Sequence, residues 1–282
     1  MKIPVYFARR FVAGETAIEA IEAVRELNRE GFVTSLDLLG ENVSSHSQAD
    51  EALEEYYRLF DLISQNKVQS GVSLKLTQLG LDLDVGACTE RMKKLLTDAK
   101  SHNLFVRIDM EGSYYTQTTI DVFLELAKEF TNVGLVLQAY LHRSLDDAQK
   151  MADLKLSIRV CKGAYKESSS IAFQSMDDIR TQYKSMVKVL LDGGSKIGIA
   201  THDDKLINWA SEYVTENKTP KSQFEFQMLY GLRRKKGLQL VKQGFRVRSY
   251  VPYGVHWFPY FYRRLRERKE NVLFVLKSLI AD

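Results

Sequence analysis

Short runs of β-branched and apolar residues, each closed by Gly, Asn, Asp or another polar turn residue, recur eight times along the chain. They lie near 32–38 (FVTSLDL), 72–76 (VSLKL), 104–110 (LFVRIDM), 133–139 (VGLVLQA), 156–162 (LSIRVCK), 196–201 (KIGIAT), 224–229 (FEFQML) and 245–251 (FRVRSYV). Between them apolar residues return every three or four positions, the spacing of a helix that buries one stripe. ADEALEEYYRLFDLI is the clearest, with Leu53, Tyr57, Phe60 and Ile63 along its stripe. CTERMKKLLTDAKSH, TQTTIDVFLELAKEF, LDDAQKMADL, DDIRTQYKSMVKVLLDGG and KLINWASEYVTE follow, and ETAIEAIEAVRELNRE precedes the first strand. Strict alternation of strand and helix predicts parallel strands joined by right-handed crossovers. Eight such units close a barrel, so the expected fold is α/β, a (βα)8 TIM barrel forming one domain over residues 1–282. A doubly wound open sheet has the same periodicity, but LDLLGENVSS after the first strand lacks the glycine spacing of a dinucleotide turn.

Composition adds limits rather than a function. With 45% apolar and 27% charged residues the chain can bury a sizeable core. Cys88 and Cys161 stand far apart, with no CxxC or Cys/His cluster, which argues against a disulfide framework or zinc site and suits a reducing compartment. MKIPVYFARRF is too short in its apolar part for a signal peptide, and no run of about 18 apolar residues exists to span a bilayer. The chain is expected in the cytoplasm, with NVLFVLKSLI as the segment able to touch the inner face of the membrane. The net charge of +4 is interleaved, so no footprint for nucleic acid emerges, and RRKK at 233–236 reads as a solvated helix face.

In a barrel the C-terminal strand ends form the active face. Here they carry Lys75, Asp109, Glu111, Gln138, Arg159, Lys162, Thr201, His202, Glu225, Gln227, Arg248 and Tyr250. Lys75, Asp109 and Arg159 alone can form a buried ion-pair cluster. Polar residues at seven strand ends exceed what stability requires, because apolar layers would serve it better. His202 suits a general base or a metal ligand, but without a second histidine at ligand spacing no metal is expected. Lys75 suits a Schiff base or a fixed charge. Lys162, Gly163 and Ala164 allow close backbone approach to a ligand beside a point charge for phosphate. In YVPYGVHWFPYFYRRLRERKEN, Arg263 and Arg264 read either as cations complementing a helix dipole or as an anion clamp.

The series SLKLTQLG, RIDME, LQAYL, RVCKGAY, ATHD, EFQMLYG, RVRSYVPYG and PYFYRRL resembles, in this order, the flavin-dependent proline dehydrogenase family. ARRFVAGET and ENVLFVLKSL are similar to its compact single-function bacterial members, so the resemblance covers nearly the whole chain. It implies a distorted (βα)8 barrel with the last helix over the mouth, noncovalent FAD, and oxidation of L-proline to Δ1-pyrroline-5-carboxylate with electrons passed to a membrane quinone. A separate pyrroline-5-carboxylate dehydrogenase would take the product. Carried over residue by residue, it implies Asp109 and Arg159 as active-site charges, and Lys75, Arg263 and Arg264 against the substrate. Met110, Gln138, Lys162, Gly163, Ala164, Thr201 and His202 would line the FAD, with Arg159 near its isoalloxazine. Leu229, Tyr165, Tyr250 and Tyr260 would wall the proline ring, Glu267 would pair with the arginines, and Asp109 would hold Lys75. Cys161 and Lys166 depart from residues common in the family, at positions that bear on flavin environment.

These residue types suit the chemistry. Two guanidiniums clamp a carboxylate with charge-assisted bidentate bonds, which fixes the ring for hydride transfer. A cation near the isoalloxazine raises the flavin's potential. The spacing puts Tyr260, Arg263, Arg264 and Glu267 on one helical face, with Phe258, Phe261 and Leu265 on a packing side. The bulk of Tyr260 disfavours 4-hydroxyproline. Two other functions fit the strand ends: a lysine-dependent aldolase using Lys75 or Lys162, and a noncatalytic flavin-binding barrel.

Overall fold

Helix α1 (Ala17–Arg29) opens on a reciprocal cap: the Thr16 hydroxyl accepts the Glu19 N–H, and the Glu19 carboxylate accepts the Thr16 N–H. From there the computed structural model, which describes residues 8–267 except the side chains of 263–267, alternates strand and helix without interruption. The strands are β1 (Val33–Leu38), β2 (Ser70–Leu74), β3 (Val106–Ile108), β4 (Val133–Gln138), β5 (Ile158–Cys161), β6 (Ile197–Ala200), β7 (Phe224–Leu229) and β8 (Val247–Tyr253). The helices between and after them are α2 (His46–Gln65), α3 (Val85–Ser101), α4 (Ser113–Ala127), α5 (Ser144–Asp153), α6 (Met176–Asp192), α7 (Asp204–Glu216), α8 (Arg234–Lys242) and α9 (Trp257–Glu267). Every neighbouring pair is parallel, and β8 returns to β1 from Val33 opposite Arg248 to Leu38 opposite Tyr253, closing the barrel.

Alternation of side chains along each strand separates two environments. Leu36, Val72, Leu74, Val106, Ile108, Leu135, Ile158, Val160, Ile199 and Phe226 face the helix ring and form the main hydrophobic core. The other parity carries Asp37, Ser73, Arg107, Gln138, Arg159, Glu225, Gln227 and Arg248 into the barrel, so its interior is polar rather than filled with branched apolar layers. Glycines make room for the longest of these. A Cβ on Gly134 would stand 2.3 Å from Arg107 Nη1, and one on Gly198 2.3 Å from Gln227 Nε2.

Two expected strand ends are in fact strand beginnings. Glu225 and Arg248 are each second in their strands, at the N-terminal end of the barrel, where they pair with each other and Glu225 also takes Arg246. The sequence windows for strands 7 and 8 each held two inward positions a barrel layer apart. On α2 the fully buried tyrosine is Tyr56, bonded to Gln78, rather than Tyr57. RRKK spans the start of α8, where Arg234 pairs with Glu30 and Lys236 donates to Asn208 across the surface.

A second, smaller apolar cluster sits at the C-terminal end of the strands. Ala8, Phe11 and Val12 from the chain start meet Leu39, Trp257, Tyr260 and Phe261. Ala13 N–H donates to the Pro252 carbonyl and Gly254 N–H to that of Gly14, stitching the start of the chain to the exit of β8. The packing side of α9 is therefore Trp257, Tyr260 and Phe261; Phe258, expected on that side, is half exposed.

Candidate active site

A cavity of about 590 Å³ opens at the C-terminal end of the barrel. It is lined by Lys75, Asp109, Met110, Gln138, Arg159, Lys162, Gly163, Ala164, Tyr165, Thr201, His202, Leu229, Tyr250 and Tyr260, so strand ends far apart in sequence converge on one space. Tyr260, on the first turn of α9, puts that helix over the mouth. The side chains of Arg263, Arg264 and Glu267, further along α9, lie outside the described residues.

The floor is built from two buried ion pairs. Arg159, on β5, donates from Nη1 to Asp109 Oδ1 at 2.6 Å, from Nη2 to Ser73 Oγ at 3.1 Å and from Nε to Gln227 Oε1. Tyr250 Oη donates to the other Asp109 oxygen at 2.7 Å, and its ring lies 5.3 Å from the guanidinium carbon. Burial and the Asp109 charge push the Tyr250 hydroxyl well above its ordinary pKa, so it remains a donor.

The second pair corrects an expectation. Lys75 donates from Nζ to Asp37 at 3.2 Å, not to Asp109, whose oxygens are taken by Arg159 and Tyr250. Asp37 is the inward residue at the end of β1 and was missed because FVTSLDL otherwise reads as a plain strand; one acid at inward parity was the available signal. Burial pulls the Lys75 pKa down, but Asp37 and then Asp109 outweigh it and hold the pKa above the ordinary value. Burial pushes Asp37 upward, with Lys75 pulling against it. A lysine kept charged is a fixed cation, not the neutral amine that Schiff-base chemistry needs.

One wall carries the other candidates. His202 Nε2 accepts the Leu229 N–H at 2.9 Å, which places the ring proton on Nδ1 and commits Nε2 to structure rather than to base catalysis. Lys162 pairs at 3.5 Å with Asp203, which also takes Arg180 at 2.8 Å. Burial opposes the Asp203 charge, but Arg180 and Lys162 hold its carboxyl below the usual range. Gly163 has φ 109°, and a Cβ there would stand 2.3 Å from the Tyr140 ring. Its missing side chain makes room for the Tyr140 ring, and Gly163 also lines the cavity. Gln138 donates to the Met110 carbonyl at 3.3 Å, while its Oε1 is buried with no hydrogen-bond partner among the described residues. A buried acceptor in a cavity wall is suited to an N–H of a bound ligand.

The model of the family described as proline dehydrogenase matches residues 20–277. The chain belongs to the proline dehydrogenase family. Within that family, proline dehydrogenase 1 of Bacillus subtilis (strain 168) is 42% identical over 273 residues, covering 97% of this chain and 90% of the relative. The proline dehydrogenase of Deinococcus radiodurans is 37% identical over 280 residues, covering 97% and 90%. Among solved structures, proline utilization A (PutA) from Bdellovibrio bacteriovorus, inactivated by N-propargylglycine, superposes with a TM-score of 0.86 at 23% identity. That likeness covers 93% of this chain and 32% of the PutA chain and concerns the fold. A member of the proline dehydrogenase family is an oxidoreductase, and the polar barrel interior is where its chemistry has room.

Proposed function

We propose that the protein oxidises L-proline to Δ1-pyrroline-5-carboxylate with FAD as its redox cofactor, passing the electrons to a quinone and the product to a separate dehydrogenase. The observation that carries this reading is the cavity floor of two ion pairs, Arg159–Asp109 and Lys75–Asp37, roofed by Tyr260, in a chain of this family. FAD, when bound, supplies the two-electron acceptor. The unpartnered acceptor of Gln138 and the cation of Lys162 beside Gly163 and Ala164 fit a flavin N–H and a phosphate respectively. Met110, Thr201 and His202 would complete that wall.

Arg263 and Arg264 would clamp the substrate carboxylate, with Glu267 pairing against them, and Lys75 would add a fixed cation from the floor. Leu229, Tyr165, Tyr250 and Tyr260 would enclose the apolar ring and exclude water. The amine reacts in its neutral form, because an ammonium has no lone pair to assist hydride loss. Tyr250, its hydroxyl donating to Asp109, would present a neutral side chain to the substrate.

The test is the visible spectrum of the purified protein before and after anaerobic addition of L-proline. The protein should be yellow and its flavin bands should fade. A colourless protein, or bands that persist, rejects the assignment.

A further inference from the structure

The floor of the cavity is connected to the far end of the barrel by a single amide. Gln227 is the fourth residue of β7 and is buried in the barrel interior. Its Nε2 donates to Glu225 Oε1 at 2.7 Å, and its Oε1 accepts from Arg159 Nε. Only one orientation of this amide satisfies both neighbours. A carboxylate can only accept and a guanidinium can only donate, so the NH₂ must face Glu225 and the carbonyl must face Arg159. Glu225 is itself immobilised: its Oε2 accepts from Arg246 Nε and Arg248 Nη2, both at 3.0 Å, and Arg248 reaches on to the Thr34 carbonyl of β1. Burial opposes the charge on Glu225, but Arg248, Arg246 and Arg107 outweigh it and hold the carboxyl below its usual range. The absent side chain of Gly198, across the strand pair, leaves the room that the Gln227 amide fills.

We propose that Glu225 and Gln227 are positioning residues which, acting through the Arg159 Nε–H, hold that guanidinium in one orientation beneath the ligand cavity. Asp109, just past β3, and Ser73, on β2, anchor the two terminal nitrogens, and Asp109 lines the cavity. The Nε bond, to Gln227 on β7, is the third, and it resists rotation about the Cδ–Nε axis. Gln227 lines the cavity and Glu225 does not, so Glu225 can act on a ligand only through Gln227 and Arg159. Their effect would be felt wherever the Arg159 charge must stand at a fixed distance from a reacting group, which in this protein rests on the flavin reading above.

Gln227→Met keeps volume and removes both bonds; Glu225→Gln keeps volume and removes the acceptor-only partner that sets the amide. The wild-type protein is first shown to hold FAD and to bleach with proline; if it does neither, the functional reading fails and the positioning claim with it. In a protein that passes, Gln227→Met should lower kcat on the order of ten-fold to a hundred-fold while KM for proline moves little. The flavin potential should become more negative, by about 30 mV for each ten-fold loss in preference for the reduced cofactor. Glu225→Gln should shift the potential in the same direction by less, and it carries the test if Gln227→Met does not fold. Variants with a lower melting temperature but wild-type potential and kcat would mean that the pair only stabilises the barrel, and would overturn the proposal.

Discussion

Asp109 has both carboxylate oxygens engaged, one by Arg159 and one by Tyr250. Asp109→Asn keeps the shape but leaves the buried Arg159 without its counter-ion, and breaking such a pair costs about 3–5 kcal/mol. The expected outcome is a clear fall in melting temperature together with a loss of kcat/KM for proline on the order of a hundred-fold, read from steady-state kinetics and thermal unfolding. Wild-type kinetics in Asp109→Asn would remove this carboxylate from the mechanism. At this scale the sequence showed which residues point into the barrel but not which of them pair. Strand alternation sets the face of Lys75, Asp109 and Arg159; the partner across the barrel depends on stagger between strands, which no local pattern records. Hence Lys75 was assigned to Asp109 and found on Asp37. Gln138 and His202 were legible as polar strand ends, whereas the His202 tautomer required the Leu229 N–H brought beside it by β7.

Elements were more legible than their ends, because apolar periodicity extends over many residues while a boundary depends on one or two. The loop after β5 shows what the pattern missed. It turns at Gly163, packs on Tyr140, and sends Glu167 to cap α4, whose own cap residue is Gly112; the carboxylate accepts the Ser113 N–H at 2.8 Å and its hydroxyl at 2.7 Å. Gly163→Ala combines a left-handed backbone with a clash against an aromatic ring, a strain of about 1–3 kcal/mol before the clash is counted. It should loosen this loop and, under the FAD reading proposed above, weaken flavin retention during gel filtration, with the far-ultraviolet circular dichroism unchanged. The turn after β2 offers a pH test. Glu111, just past β3, accepts the Thr77 N–H at 3.3 Å and the Thr77 hydroxyl at 2.7 Å. Burial raises its pKa above 4.5, with Thr77 and Lys75 opposing and Glu41 adding to the rise. A carboxyl raised in the folded state contributes stability that is fully present below its unfolded pKa and is lost as pH rises through its folded pKa. Glu111→Gln keeps an acceptor for Thr77 without the charge. Its melting temperature relative to wild type should therefore increase between about pH 4 and about pH 8, and a difference that stays flat would show that burial does not govern this group.

On the scale of the whole molecule the two apolar clusters are separate. The main core lies between strands and helices, while the smaller one joins the start of the chain to α9 above the cavity. Trp257 Nε1 donates to Glu15 at 3.0 Å and Gly231, with φ 71°, lets the Arg10 carbonyl approach the turn after β7. The roof carrying Tyr260 is therefore held by residues that contribute little to barrel closure, and units of this kind open at lower free energy than the fold as a whole. Phe11 is almost fully buried in the smaller cluster against Phe261, with ring centroids 6.1 Å apart. Removing such a ring costs about 3–5 kcal/mol, more than a small cap can lose and stay seated. Phe11→Ala should raise KM for proline strongly and accelerate amide hydrogen exchange in α9. Exchange in β1 to β8 and the main unfolding transition should stay close to wild type, because the barrel core keeps all its contacts. A variant in which barrel and cap lose protection together would show one cooperative unit, and the cap would then be part of the barrel's own stability rather than a separately held roof.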